Sequence, residues 1–218
     1  MTATHPVRAG YHHGDLPNAL ADAATDLARG GGPEAIVLRE AARRVGVSAA
    51  AAYRHFVGHG ELLQAVRQRA LAALADALTD GLACGDQLAD PAAEGLRRFR
   101  NLGLAYVGFA RANPGLFHTA FYRPDNAAME QPGVIEARIE ATRAYQILSR
   151  ALDELVVTGL LDESRRNVAP IAFWAAVHGL ATLFVDGPLA DLTADEQDAA
   201  VRQTIDILMD GIGHTRIS

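Results

Sequence analysis

Apolar residues recur at helical spacing along nearly the whole chain, and no stretch alternates with the period of two that marks a half-buried strand. Leu20, Ala23, Ala24 and Leu27 give a first helix one apolar face. Asp15 caps it, Pro17 lies in its first turn, where a missing N–H costs little, and Gly30 to Pro33 end it. Leu38, Ala42 and Val45 mark a short second helix. Gly46 stops it, because glycine takes the left-handed backbone that closes a helix. Val47 follows as an apolar plug. Ser48 then caps a third helix, Ala49 to Phe56, which ends before Gly58.

Longer helices follow. Glu61 to Leu78 carries Leu62, Val66, Leu74 and Leu78, and Gly81 to Pro91 reads as a loop. Ala92 to Ala112 is closed by Asn113-Pro114, and a short helix runs through Leu116, Phe117, Phe121 and Tyr122. Arg123 to Gly133, with two prolines, reads as a surface loop, and Val134 to Thr158 as one helix stopped at Gly159. Arg165–Val185 and Thr193–Ile212 complete the chain, the last opened by a Thr193/Glu196 capping box. The pattern predicts an all-α protein of about nine helices.

Composition narrows the class. Half of the 218 residues are hydrophobic, enough to bury a core, and the alanine bias favours helices. The single cysteine, Cys84, excludes an internal disulfide framework and suits a reducing cytoplasm. MTATHPVRAGYHHGDL has no apolar core of a signal peptide, and Ile171 to Val185, interrupted by His178, is too short for a membrane span. A cytoplasmic protein with no membrane contact is expected. No GxSxG elbow, P-loop, HExxH or CxxC occurs, so no enzyme is expected. Adjacent His12 and His13 lack a third ligand, so neither a metal nor another cofactor is expected.

A helix, a glycine-containing turn and a second short helix, as in Leu38 to Phe56, make the helix-turn-helix pattern. Its second helix enters the major groove of DNA. The net charge of −6 opposes DNA binding, but its distribution does not. Residues 1–60 hold six arginines against five carboxylates, a net of +1, together with five of the eight histidines. Phosphates favour the protonated forms of such histidines.

Tyr11 to Val66 resembles the tetracycline-repressor (TetR) family in the order YHHGDL, LREAARRVGVS, AAAAYRHF and ELL. WAAVHGLA, Trp174 to Ala181, resembles the Trp-His-Gly (WHG) type of effector domain in that family. The resemblance implies a three-helix DNA-binding domain over residues 1–60 and a helical effector-binding and dimerisation domain over 61–218. It also implies a homodimer joined through the last two helices, double-stranded operator DNA as partner, and repression relieved by a small-molecule effector.

The resemblance places DNA contacts on Arg39, Ser48, Ala49, Ala50, Ala51, Tyr53, Arg54, His55 and His59. A guanidinium such as that of Arg39 can read guanine bidentately, and the Tyr53 hydroxyl and His55 ring suit phosphates. Ala52 and Phe56 read instead as core, and Arg43 and Arg44 as solvated surface. Three departures stand out. The recognition helix opens on four alanines, which offer only methyls. His59 stands where the family has Lys, and Val37 where it has a capping Ser or Thr. The alanine tract motivates the alternative of a helical small-molecule-binding protein that has lost specific operator binding. Arg8, His12 and His13 could form a basic arm. In the body, Phe99, Tyr106, Phe109, Phe117, Phe121, Tyr145, Trp174 and His178 are the effector-site candidates, although most such aromatics form core.

Overall fold

The computed structural model describes residues 15–122 and 142–213, and of Ile212 and Gly213 it describes the backbone alone. Nine α-helices occur among these residues, with no strand. They are α1 (Leu16–Gly31), α2 (Leu38–Val45), α3 (Ala49–Tyr53), α4 (His59–Ala83), α5 (Pro91–Ala112), α6 (Pro114–Phe121), α7 (Arg143–Val157), α8 (Ala169–Val185) and α9 (Ala194–Gly213). Two short 3-10 turns, Pro33–Ala35 and Glu163–Arg165, lie between them.

The helix-turn-helix forms, with its second helix ending at Tyr53 rather than Phe56. Gly46 adopts φ 78°, ψ 28°, and the N–H groups of Val47 and Gly46 reach back to the carbonyls of Ala42 and Arg43. This pair of bonds is a Schellman closure, completed by Val47 packing against the core. The Ser48 hydroxyl accepts the Ala51 N–H at 3.2 Å and opens α3. Val37 gives α2 no side-chain cap. At α1 the expectation is corrected: the Asp15 carboxylate takes the Asn18 side-chain amide at 2.6 Å and caps no backbone N–H.

One apolar cluster runs from Leu20 and Ala24 of α1 through Ala52 and Phe56 to α4, and on to α5, α8 and α9. Leu62, Val66, Leu74 and Leu78 of α4 are all buried in it. α4 packs on α1 at one end and on α5, α6 and α7 along its length. Thr193 and Glu196 exchange the bonds of a capping box, Thr193 N–H to Glu196 Oε2 at 2.8 Å and Glu196 N–H to Thr193 Oγ1 at 3.4 Å.

Two expectations change. A single helix from Val134 to Thr158 does not form, because Thr142 is extended and its side chain caps a helix that starts at Arg143. The helix expected over Glu61 to Leu78 is longer at both ends, running from His59 to Ala83. α4 already begins at His59, and Glu61 Oε2 accepts the Val57 N–H at 2.8 Å. The expected loop at Arg123 to Gly133 and the arm residues Arg8, His12 and His13 lie outside the described residues.

Candidate DNA-binding and effector sites

The head displays a small set of unpaired polar groups on a buried scaffold. Ala52 is fully buried and Phe56 nearly so, which fixes the rotation of α3. That rotation exposes Ala50, Tyr53 and Arg54, leaves Ala49 and Ala51 half-buried, and turns His55 outward just past the helix. Tyr53 is 46 % exposed, so it projects from the core more than it packs into it. Arg39, at the start of α2, and Arg54 are exposed and have no hydrogen-bond or ion-pair partner among the described residues. Arg43 differs: it forks onto Glu40 at 2.7 and 2.8 Å, and Arg44 adds a contact at 3.3 Å. The Arg43 fork holds the Glu40 carboxyl down at about 2.

His59 is turned differently from a free phosphate ligand. Its Nδ1 lies 2.9 Å from the Ile36 carbonyl oxygen. A carbonyl only accepts, so Nδ1 carries the proton, and a neutral ring has a lone pair at Nε2. His59 can therefore donate to a phosphate only as an imidazolium. In the neutral ring it ties α4 to the segment before α2. The Ser48 hydroxyl is likewise already used as a cap.

The body gathers five of the eight aromatic candidates. Tyr106 of α5, Phe117 and Phe121 of α6, and Trp174 and His178 of α8 form one ring cluster. The His178 ring lies 4.7 Å from Phe121 and 5.2 Å from Phe117, centroid to centroid. Four positions along α8 bring Trp174 and His178 to the same face. The Trp174 indole donates to the Tyr106 hydroxyl at 3.2 Å, and that hydroxyl lies 2.9 Å from His178 Nδ1. Burial pushes the Tyr106 phenol up beyond the usual tyrosine range, and burial likewise lowers His178. The other three candidates lie apart. Phe99 stacks edge-on with Phe173 at 4.5 Å in the core. Phe109 is buried but makes no ring contact with the cluster, and Tyr145 makes none either, among the described residues.

A connection between the two sites has no counterpart in the sequence reading. α6 carries Phe117 and Phe121 on one side, and its Gly115 meets the end of α1 on the other. A Cβ at Gly115 would collide with the Ala28 carbonyl oxygen and lie 2.8 Å from that of Arg29. Arg29 also donates to Asn113 at 3.1 Å, Arg67 of α4 to the Ala120 carbonyl at 3.0 Å, and Tyr122 to Glu34 at 3.3 Å. The sequence held one signal for this seam: a glycine inside the first turn of a helix, directly after proline, where no unusual backbone requires it.

A helix-turn-helix with unpaired cations on its outer face, continued by further helices that share its core, defines a DNA-binding regulator. The comparisons agree. A family model described as the tetracyclin repressor-like, C-terminal domain matches residues 99–208, and one for bacterial regulatory proteins of the tetR family matches residues 20–66. The chain belongs to the TetR family of transcriptional regulators.

No curated protein matches the chain. Among solved structures, a protein of unknown function from Rhodococcus sp. RHA1 shares 27 % identity at a TM-score of 0.71, over 94 % of this chain and 98 % of its own. A putative tetR family regulator from Shewanella sp. PV-4 shares 18 % at 0.59, over 88 % of this chain and 96 % of its own. A TetR family transcriptional regulator from Thermus thermophilus shares 24 % at 0.55, over 88 % and 97 %. The last two show the fold. Among the described residues, no helix is long and apolar enough to cross a membrane.

Proposed function

We propose that this regulator is a homodimeric, cytoplasmic repressor. A small molecule bound against the Tyr106–Trp174–His178 cluster releases it from a palindromic operator. The observation that carries this reading is the double duty of α6. The helix that supplies Phe117 and Phe121 to the cluster also presses its backbone on α1 at Gly115. A ligand changes DNA affinity only by favouring one head position over another, and α6 touches both ends of that equilibrium. Residues 1–60 act as the head and 61–218 as the body, with α4 shared between their cores. Base reading rests on Arg39 and Arg54, and Tyr53 and His55 contact phosphates.

The last two helices form the dimer interface in this reading, through a face other than the apolar stripe that Val201, Ile205, Leu208 and Ile212 make in the sequence at spacings of three and four. Val201 and Ile205 are buried within their own subunit, where Ile205 packs against Gly103. The outward apolar groups are Ile171 and Leu183 of α8, 57 % and 38 % exposed, and Ile207 of α9, 72 % exposed. Ile171→Glu with Ile207→Glu is expected to give a folded monomer in sedimentation; a persistent dimer refutes the interface.

Footprinting on the DNA upstream of the gene tests the function. Two protected half-sites about one helical turn, ~34–36 Å, apart are expected. A single asymmetric half-site bound by a monomer sinks the reading. The alanines of α3 favour the second reading, a ligand-binding protein without an operator. In a salt-series shift assay, that reading predicts the same affinity for upstream and for random DNA.

A further inference from the structure

The polar atoms of the aromatic cluster restrict what can bind there, and the inference rests on the effector reading above. The Trp174 indole N–H can only donate, so the Tyr106 oxygen accepts from it. The Tyr106 proton then has one partner in reach, Nδ1 of His178 at 2.9 Å. A proton on Nδ1 would point at an oxygen that already accepts and would leave the Tyr106 O–H, on a residue only 5 % exposed, without a partner. Nδ1 is therefore the acceptor, and His178 is neutral with its proton on Nε2.

Nε2 has no partner among the described residues, yet no buried side-chain nitrogen or oxygen lacks one there, so Nε2–H opens to the outside of the cluster. Every other polar atom of the five rings is used internally. The walls around the imidazole are the flat faces and edges of Phe117, Phe121 and Trp174. No cation is offered nearby by α5, whose Arg100 and Arg111 are taken by Asp206 and Asp198 at 2.7 and 2.9 Å. On α6, His118 faces Asp186 at 2.7 Å.

We infer that the effector is an uncharged, flat, largely apolar molecule with a hydrogen-bond acceptor, held by the Nε2–H of a neutral His178 that the Tyr106–Trp174 chain fixes in one tautomer. A carboxylate placed there would lose its water, and the α5 arginines that could offset that loss are already paired with Asp206 and Asp198. A hydrocarbon would fill the same walls but leave the Nε2 donor unpaired.

Three probes of one shape separate these cases on the full-length dimer: 2-acetylnaphthalene, 2-ethylnaphthalene and 2-naphthoate. Trp174 is the only tryptophan of the chain, so quenching of its fluorescence reports binding at the cluster itself. The ketone should bind about tenfold more tightly than the hydrocarbon, the worth of one hydrogen bond to a desolvated donor. The anion should bind more weakly than the ketone. In His178→Phe the two neutral probes should become equal to within about twofold, since only the donor is lost.

Nitrogen-15 histidine spectra of the unmodified protein check the tautomer without relying on a variant. They should show Nδ1 bare and Nε2 protonated. Equal affinity for ketone and hydrocarbon, tightest binding of the anion, no quenching by any probe, or a protonated Nδ1 would each overturn the inference. A shift assay on upstream DNA without any probe judges the regulator reading separately, so failure of the ligand class and failure of the regulator are told apart.

Discussion

The two ends of this molecule keep their polar groups in opposite states. On the head, Arg39 and Arg54 reach solvent without a partner among the described residues, beside the exposed ring of Tyr53. In the body, Tyr106, Trp174 and His178 satisfy one another almost completely inside an apolar shell. The head binds a partner that brings its own charge, so its groups wait unpaired on a rigid frame. In the proposed reading the body takes a small, largely apolar molecule, where each unpaired polar atom would cost about 1–3 kcal/mol. Loss of a head group should therefore alter DNA affinity without altering stability, and loss of a cluster group the reverse.

The sharpest break in that separation lies at Gly115, which belongs to both ends. Gly115→Ala forces α6 away from the carbonyls of Ala28 and Arg29. A loss of about 3 kcal/mol in chemical denaturation is expected, together with altered operator affinity. Unchanged stability would mean that the seam gives way freely. Next is Tyr106→Phe, which leaves the Trp174 N–H and His178 Nδ1 without their shared partner. It should lower stability by about 2 kcal/mol, while DNA affinity without ligand stays within twofold of the parent; a larger change in affinity would show the cluster already coupled to the head in the absence of ligand.

Arg39→Ala should reduce discrimination between operator and random DNA by about 1–2 kcal/mol, with stability unchanged within about 0.5 kcal/mol. An equal loss on both DNAs would reassign Arg39 to the backbone. Tyr53→Phe should weaken both DNAs alike, by about 1 kcal/mol or less.

The smallest effect is a pH dependence of the body. Burial lowers His178 from its ordinary 6.5, so the folded state binds this proton less readily than the unfolded chain. Its contribution to stability is complete above that ordinary value and declines as pH falls below it. Thermal melts between pH 7.5 and 5.5 should fall more steeply for the parent than for His178→Phe.

Local rules were legible in the sequence wherever a residue acts on its own neighbours. Gly46, Val47, Ser48 and the Thr193/Glu196 box behave as their positions dictate, because capping is decided within a few residues. The apolar positions of α4 were equally plain. What stayed hidden depends on long-range approach. The stripe of Val201, Ile205, Leu208 and Ile212 showed its spacing but not its destination, and two of these residues, Val201 and Ile205, fill the space left by Gly103 within the subunit. The Thr142 cap, which breaks the expected Val134 helix, is visible only once the backbone there is extended. His59 looked like a solvent-facing substitute for lysine until the Ile36 carbonyl appeared beside it. Among the aromatic candidates, composition could not separate Phe99, which meets Phe173 in the core, from Phe117, which meets His178. Both are phenylalanines on amphipathic helices, and only the crossing of α5, α6 and α8 distinguishes them.

The contact at Gly115 also bears on how such a regulator can be re-engineered. In the proposed reading, sensing and transmission use different atoms of one short helix: the rings of Phe117 and Phe121 face the cluster, whereas the bare backbone of Gly115 lies against that of α1. Exchanging the rings to suit a different inducer leaves the main-chain seam in place. On that reading, a biosensor built on this scaffold is retuned at the cluster without rebuilding its output, provided residue 115 stays glycine.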